Sequence, residues 1–209
     1  ACICMFIDHI GAAVILPAFQ SGVQKNIFSF KQANFYYEIL RFIGRSAFPI
    51  FSYLLVEGFY HTKNRLRYSL SLFIFALISE YPYDLAFNSV KGGFNSSCNV
   101  YFSLLIGLFV IWSVDYVRTN YSSSDKTFLR YMSPILCGLV IALGAFIAHV
   151  INCDYSEFGI GVMVIFYLFH FTEPISLLAG FFVLCGMQNE YRAFPAFILL
   201  LLYNKKRGK

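Results

Sequence analysis

Long apolar runs separated by short polar segments dominate the chain. A helix that crosses the hydrocarbon of a bilayer needs about 20 mainly apolar residues, with about 17 to 25 tolerated. By this measure the pattern predicts eight crossings, at 1–20, 36–60, 68–88, 99–117, 131–151, 159–171, 174–187 and 191–203. The last three are short enough to be tilted or re-entrant. The runs lack the strict alternation of barrel strands, so the pattern favours helices.

The composition places these helices in lipid. Hydrophobic residues make up 58% of the 209 residues and charged residues only 13%, and the mean hydropathy is +0.64. A soluble domain could not cover so much apolar surface with so few charges. We predict an all-α, polytopic helical membrane protein with a single domain over 1–209, a lipid bilayer as its partner and no nucleic acid. The chain has no initiator Met or basic start, so we recognise no signal peptide and expect a short lead-in to be missing.

The distribution of Lys and Arg predicts an orientation. With the N-terminus in the cytoplasm, the predicted cytoplasmic segments 61–68, 117–130 and 204–209 carry ten basic residues: Lys63, Arg65, Arg67, Arg118, Lys126, Arg130, Lys205, Lys206, Arg207 and Lys209. The opposite loops carry Lys25, Lys31, Lys91 and Arg192, together with Asp154 and Glu157. This asymmetry obeys the positive-inside rule. It predicts a multi-pass protein of a bacterial cytoplasmic membrane with both termini in the cytoplasm.

The six cysteines show no CxxC pair and no metal-binding spacing, so no metal is predicted. Four lie in apolar runs, where they are expected to pack as small residues. Cys98 and Cys153 fall in loops predicted on the same side of the membrane. The sequence leaves open whether these two form a disulfide.

Ionisable residues concentrate in the first three predicted spans, although each costs roughly 2.5–3.5 kcal/mol at the bilayer centre. They are Asp8, His9, Glu38, Arg41, Arg45, Glu57, Glu80 and Asp84. Asp8 and His9 are neighbours and point about 100° apart on a helix. Each is therefore expected to find a partner on another span, with Arg45 and Glu57 as candidates.

Spacing gives the other ionisable residues a geometry. Arg41 and Arg45 share one helix face, as do Glu57 and His61. Pairing of the two arginines with Glu80 and Asp84 is plausible from their predicted depth. Ion pairs that only fix the helix bundle are the alternative for this group.

Two segments suggest a site. Arg45 lies in "GRSAFPIF" (44–51), where Gly44 and Pro49 favour a broken helix, and such breaks usually line a cavity in membrane proteins. "HTKNRLR" (61–67) is either a cytoplasmic anchor or a grip for a phosphate-bearing ligand. Candidate residues for that grip are His61, Lys63, Asn64, Arg65 and Arg67.

These motifs resemble the TraX family, whose named member is an inner-membrane enzyme that N-acetylates F-type conjugative pilin. The resemblance rests on "MFIDHIG", "LRFIGRSAFPIFSYLLVEGFYHTKNR", "FALISEYPYDLAFN", "NVYFSLLIGL", "DYSEFGIGV" and "LLYNKKRG", in order along nearly the whole chain. The second block is the most specific. Family members usually continue after "YNKKRG" into another apolar helix, so the resemblance implies that the chain is shortened at Lys209.

The resemblance implies an acetyl-CoA-dependent N- or O-acetyltransferase acting on a peptide or glycan acceptor. On this hypothesis His9 is the general base and Asp8 or another carboxylate, such as Glu57, orients its ring. Arg45 stabilises the oxyanion or holds the CoA pyrophosphate. Arg41 and the 61–67 segment bind the cofactor, and Glu80 and Asp84 are structural or lie on the acceptor side.

Two other classes of function stay open. A small proton-coupled transporter would use the same Asp, His and Arg residues as a relay, although no paired broken helices of an inverted repeat are recognisable. A non-catalytic scaffold would use all these charges as interhelical pairs. Binding of acetyl-CoA separates both from the enzyme, because a ligand that binds only the folded form raises its unfolding temperature.

Overall fold

The structure is a computed structural model that describes residues 1–20, 30–87, 98–122 and 127–203, without the side chains of 19, 20, 30–33 and 122. The predictions that concern Lys25, Lys91, Lys126 and the tail 204–209 lie outside the described residues, as does the side chain of Lys31. Helices make up nearly all of the described part. The β structure in the described part is one isolated β-bridge between Cys98 and Cys153. The predicted all-α fold class is confirmed.

The described residues form ten α-helices, which follow the predicted spans closely. They are α1 (Cys2–His9), α2 (Leu16–Gln20), α3 (Phe30–Gly44), α4 (Ala47–His61), α5 (Arg65–Phe87), α6 (Val100–Val117), α7 (Thr127–Val150), α8 (Ser156–Leu168), α9 (Glu173–Phe181) and α10 (Phe194–Leu201). Wider π-helical turns join α1 to α2 (Ile10–Ile15) and extend α6 (Arg118–Ser122) and α9 (Phe182–Met187), and a short 3₁₀ turn (Tyr191–Ala193) precedes α10.

Within the described part of the chain, four helical segments are long and apolar enough to cross a membrane: Asn34–His61, Arg65–Phe87, Val100–Tyr121 and Thr127–Val150. Four shorter apolar segments correspond to the remaining predicted spans: Cys2–Ala18, Ser156–Leu168, Glu173–Met187 and Tyr191–Leu201. The chain is a polytopic helical membrane protein. The first and last three spans are the short ones.

The chain forms two compact units. One comprises Ala1–Phe51 and Glu173–Lys209, and the other comprises Ser52–Thr172. In the first unit α1 packs against α3, and α9 packs against α10. In the second unit α6 packs against α5, α7 and α8, and its buried residues, such as Leu108 and Ile111, form the centre of the core.

Local sequence explains where helices of the second unit begin. The Asn64 side chain accepts a hydrogen bond from the Arg67 N–H at 2.9 Å, and Asn99 accepts one from the Tyr101 N–H at 2.9 Å. Both are N-caps, which satisfy backbone donors that the first turn leaves unpaired. They start α5 and α6.

The second unit has a basic end and an acidic end. Basic residues lie where α4 ends, α5 begins, α6 ends and α7 begins: Lys63, Arg65, Arg67, Arg118 and Arg130. Acidic residues lie at the opposite ends of α5 and α8 and in the loop between α7 and α8: Glu80, Asp84, Asp154 and Glu157. The predicted separation of charge is therefore present in the fold of this unit.

Candidate functional site

One face of α3 carries three charged residues at spacings of three and four, which places them side by side on a helix. Each has an ion-pair partner in the first unit. The pairs are Arg41 with Asp8, Arg45 with Glu190, and Glu38 with Arg192. We call these six residues the α3 charge cluster.

The Asp8–Arg41 pair is the most buried of the three. Asp8 Oδ2 lies 2.6 Å from Arg41 Nη1, and each side chain is 12% exposed. A Cβ placed on Gly44 would lie 2.7 Å from Asp8 Cα, so the glycine permits the close approach of α1 and α3. The expectation that Asp8 binds Arg45 or Glu57 is therefore wrong, because Arg41, one turn earlier on the same face of α3, takes the carboxylate.

The helix is interrupted at Arg45 and Ser46, between α3 and α4, as the "GRSAFPIF" segment predicted. Arg45 Nε lies 3.7 Å from Glu190 Oε2, and Arg192 Nη2 donates to Glu38 Oε2 at 2.7 Å. Both partners, Glu190 and Arg192, lie in the segment before α10. The pairing of Arg41 and Arg45 with Glu80 and Asp84, which their predicted depth made plausible, stays a prediction.

His9 ends α1 where the helix widens into the π-helical turn Ile10–Ile15. Turns of this kind are frequent at functional sites, because the extra residue displaces side chains from regular helical positions. Its half-buried ring stays a candidate base. Its sequence neighbour Asp8 is held by Arg41.

A second cluster surrounds Glu57 in the second unit. Glu57 is buried, with His61 Nε2 3.4 Å from its Oε2 and His170 Nδ1 3.5 Å from its Oε1. The Tyr60 ring stacks on His170 with centroids 4.1 Å apart. Glu57, Tyr60, His61 and His170 form what we call the Glu57 cluster. The predicted Glu57–His61 contact is confirmed.

His170 was not among the predicted site residues. It lies near the end of a predicted span, and nothing in the local sequence links it to Glu57, which is more than 100 residues away. The signal available was the rarity of histidine, which occurs four times in the chain. The His170 side chain is 10% exposed, whereas the His61 side chain is 80% exposed.

Asp115 connects neighbouring helices at the same end of the unit. Its Oδ2 accepts a hydrogen bond from Arg65 Nη1 at 2.6 Å, and its Oδ1 accepts one from the Tyr167 hydroxyl at 2.9 Å. The Arg65 guanidinium also lies over the Phe59 ring, 4.1 Å from its centroid. Arg65 is therefore engaged in packing, whereas the sequence assigned it to a cofactor.

The rest of the 61–67 segment divides into two roles. Asn64 caps α5, which explains its presence without a ligand. Lys63, in the connection between α4 and α5, and Arg67, in the first turn of α5, have exposed side chains. These two are the residues of the segment that are most open to an anionic partner.

Glu80 and Asp84 lie at the acidic end of the second unit. Glu80 Oε2 accepts hydrogen bonds from the backbone N–H and the side-chain Nδ2 of Asn99, at 3.1 and 2.5 Å. The same amide donates to the Ala76 carbonyl at 3.0 Å. Glu80 thus joins α5 to the start of α6, which fits the structural role suggested for it.

Comparison with known proteins shows which family has these features. A family model described as "TraX protein" matches residues 1–192. The chain belongs to the TraX family. No solved structure matches it.

A curated relative of this TraX-family protein is "Probable fimbrial assembly protein FimC, serogroup H1" of Dichelobacter nodosus. The two are 35% identical over 81 residues, which is 36% of this chain and 33% of the relative. The match thus spans about a third of the relative's length. The family match, in contrast, includes Asp8 and His9, the whole Glu57 cluster and all of the 61–67 segment.

Proposed function

We propose that this TraX-family protein is a membrane-embedded acetyltransferase that moves an acetyl group from acetyl-CoA to an amine or hydroxyl acceptor. The Glu57 cluster is the observation that carries the proposal. A buried carboxylate there has an imidazole near each of its oxygens, and exposed Lys63 and Arg67 lie at the same end of the unit. This reaction needs a general base, a carboxylate that orients the base, and basic residues that bind the phosphates of the cofactor.

The reaction breaks the thioester C–S bond and forms a C–N or C–O bond, and the acceptor proton must leave. An α-amino group has a pKa of about 7.7–8.0, so an imidazole can take its proton without an extreme shift. When His170 Nδ1–H faces Glu57, the ring is fixed in one orientation and Nε2 presents a lone pair to the acceptor. We assign His170 as the general base and Glu57 as its positioning residue.

Lys63 and Arg67 would bind the phosphates of CoA. Guanidinium and ammonium groups both bind phosphate, the former in a forked geometry. The positive-inside rule places this end of the unit in the cytoplasm, where acetyl-CoA is available. On this proposal both termini face the cytoplasm and the protein lies in a bacterial inner membrane.

The printed name of one relative supports a class of acceptor. The name of the Dichelobacter nodosus relative refers to fimbrial assembly. It supports an acceptor on a fimbrial or pilin-like peptide, and a surface glycan is the alternative. Acceptors of either kind are assembled at or beyond the membrane in which this enzyme would work.

The test uses purified full-length protein in detergent with labelled acetyl-CoA and a peptide that carries a pilin-like N-terminus. Removing a general base typically costs about 10²–10⁴-fold in rate, so His170→Ala and Glu57→Gln should lose most of the transfer. His149→Ala is the matched control, because His149 also contacts a glutamate, Glu157, at 3.0 Å, but at the acidic end. Lys63→Ala and Arg67→Ala should raise the KM for acetyl-CoA with little effect on kcat.

His9→Ala tests the other candidate base. Near-normal turnover of folded His170→Ala protein together with loss of activity in His9→Ala would move the base to the first unit. Normal turnover in both variants, or no transfer by the wild type and no thermal shift with acetyl-CoA, would remove the proposal.

A non-catalytic scaffold is the second candidate function. It is favoured by the three ion pairs of the α3 charge cluster and by the Arg65–Asp115 pair, since these give a structural partner to four of the predicted site residues, Asp8, Arg41, Arg45 and Arg65. On that interpretation Glu57→Gln and His170→Ala lower thermal stability. Neither the wild type nor the variants transfer acetyl groups. The acetyl-CoA binding measurement decides between the two functions.

A further inference from the structure

Two cysteines lie directly opposite each other at the acidic end of the second unit. Cys98 precedes α6 and Cys153 lies between α7 and α8, and the two form an isolated parallel β-bridge. The Cys98 N–H donates to the Asn152 carbonyl at 3.3 Å. Both thiols are free in the structure. We propose that Cys98 and Cys153 form a disulfide bond that ties the start of α6 to the loop between α7 and α8.

The backbone spacing fits such a bond. Neighbouring β-bridged backbones lie about 4.7–4.9 Å apart, and disulfides join residues whose Cα atoms are usually about 4.4–6.8 Å apart. Residues opposite each other in a bridge also project their side chains to the same face. Closing the bond therefore needs rotation of side chains and little movement of the backbone.

The loop that carries Cys153 is held in place by its own contacts. The Cys153 N–H donates to the Ala148 carbonyl at 3.0 Å, and the Ser103 hydroxyl of α6 donates to the Asp154 carbonyl at 2.5 Å. Asn152 and Tyr155 on either side have positive φ angles of 56° and 64°, which non-glycine residues adopt at a cost. These contacts fix the cysteine where it faces Cys98.

The charge asymmetry of the unit indicates the compartment. Arg118 and Arg130 lie at the far ends of α6 and α7, and Lys63 and Arg67 lie at the same basic end of the unit. The positive-inside rule places the basic end in the cytoplasm and the cysteine pair on the opposite side. Compartments outside the bacterial cytoplasm are oxidising, and disulfides persist there.

The chemistry requires an external disulfide as oxidant, either oxidised glutathione or a protein with a reactive disulfide. The Cys98 thiol loses its proton to solvent and its sulfur attacks the carrier, which releases one carrier thiolate. The Cys153 thiolate then attacks the Cys98 sulfur and displaces the second carrier thiolate. The two cysteines lose two protons and two electrons, and the carrier disulfide becomes two thiols.

Burial makes this reaction slow in the folded protein. Burial raises the pKa of both thiols, that of Cys153 to about 12, so both are protonated at neutral pH. Cys98 is the more exposed of the two and is the first to meet the carrier. The bond should form mainly while the loops are still accessible, and it should resist reduction afterwards.

The test counts free thiols in the full chain within native membranes. Acid-quenched membranes are denatured and treated with a maleimide that carries a mass tag, with and without prior reduction. Reduction should add two tags to the wild type and none to Cys98→Ser or Cys153→Ser. Cys137→Ser is the matched control and should still gain two tags, since Cys137 lies in α7 outside the pair.

Mass spectrometry of an unreduced digest should then find the Cys98 peptide joined to the Cys153 peptide. Reductant should lower the unfolding temperature of the wild type and leave that of Cys153→Ser unchanged. An equal number of tags with and without reduction, or a cross-link that persists in Cys98→Ser, would overturn the proposal. The outcome does not depend on acetyl transfer, so it stands or falls separately from the proposed function.

Discussion

The close approach of α1 and α3 predicts that Gly44→Ala destabilises the protein. The new Cβ would lie 2.7 Å from Asp8 Cα, whereas carbon atoms in contact are about 3.5–4.0 Å apart. The helices must therefore separate by about 1 Å, and because the obstacle is backbone, no rotamer change relieves it. The Asp8–Arg41 contact, now at 2.6 Å, would lengthen as well.

Overpacking of this kind costs about 1–3 kcal/mol. For a chain of this length each kcal/mol corresponds to about 2–4 °C, so the unfolding temperature should fall by roughly 2–12 °C. Thermal unfolding in detergent, followed by fluorescence, measures the shift. Replacing a glycine inside a helix by alanine can stabilise the helix by up to about 1 kcal/mol. Gly44 is the last residue of α3, so this stabilisation should be small there.

Gly138→Ala is the matched control. Gly138 lies within α7, and a Cβ there would meet nothing within 4 Å. This variant should be as stable as the wild type or slightly more so. If Gly44→Ala also unfolds at the wild-type temperature, α1 and α3 do not approach at this point and the placement of Asp8 is refuted.

Further predictions concern single contacts. Breaking the Asp8–Arg41 pair by Asp8→Asn or Arg41→Met alone should lower the free energy of unfolding by about 3–5 kcal/mol. The apolar double variant Asp8→Leu/Arg41→Met should recover much of that stability. Additive losses in a double-mutant cycle would contradict this prediction. Asn64→Ala should cost about 1 kcal/mol through loss of the α5 cap and Asn64→Ser should restore it, as measured by thermal unfolding. Asn99→Ala should cost more than Asn64→Ala, since it also removes two donors from the Ala76 carbonyl and a nearby carboxylate; equal losses would argue against those bonds.

Hydrophobic periodicity and charge spacing were sufficient to predict the helices and the break at Arg45, because both depend on neighbours in sequence. The Glu57–His61 contact was predictable for the same reason, being one helical turn apart. Contacts between distant segments were not. The choice of Arg41 over Arg45 as the partner of Asp8 depends on how deeply α1 packs against α3, and local spacing carries no information on that depth.

The same limit explains the residues that were missed. Glu190 and Arg192 precede a short helix and looked like ordinary loop charges, yet they pair with α3. Asp115, the partner of Arg65, lies 50 residues away in sequence, so this ion pair could not be predicted from local spacing. Ionisable residues near the ends of spans therefore merit the same attention as those at the centre.

The buried Asp8–Arg41 pair has a consequence for how the protein enters the membrane. Each charge alone would oppose insertion by roughly 2.5–3.5 kcal/mol, and α1 is one of the short segments. Because the two charges neutralise each other, α1 and α3 can partition into lipid together at a far lower free-energy cost. The N-terminal segment should thus wait at the translocon until α3 has been synthesised, and integration of the two should be a concerted event.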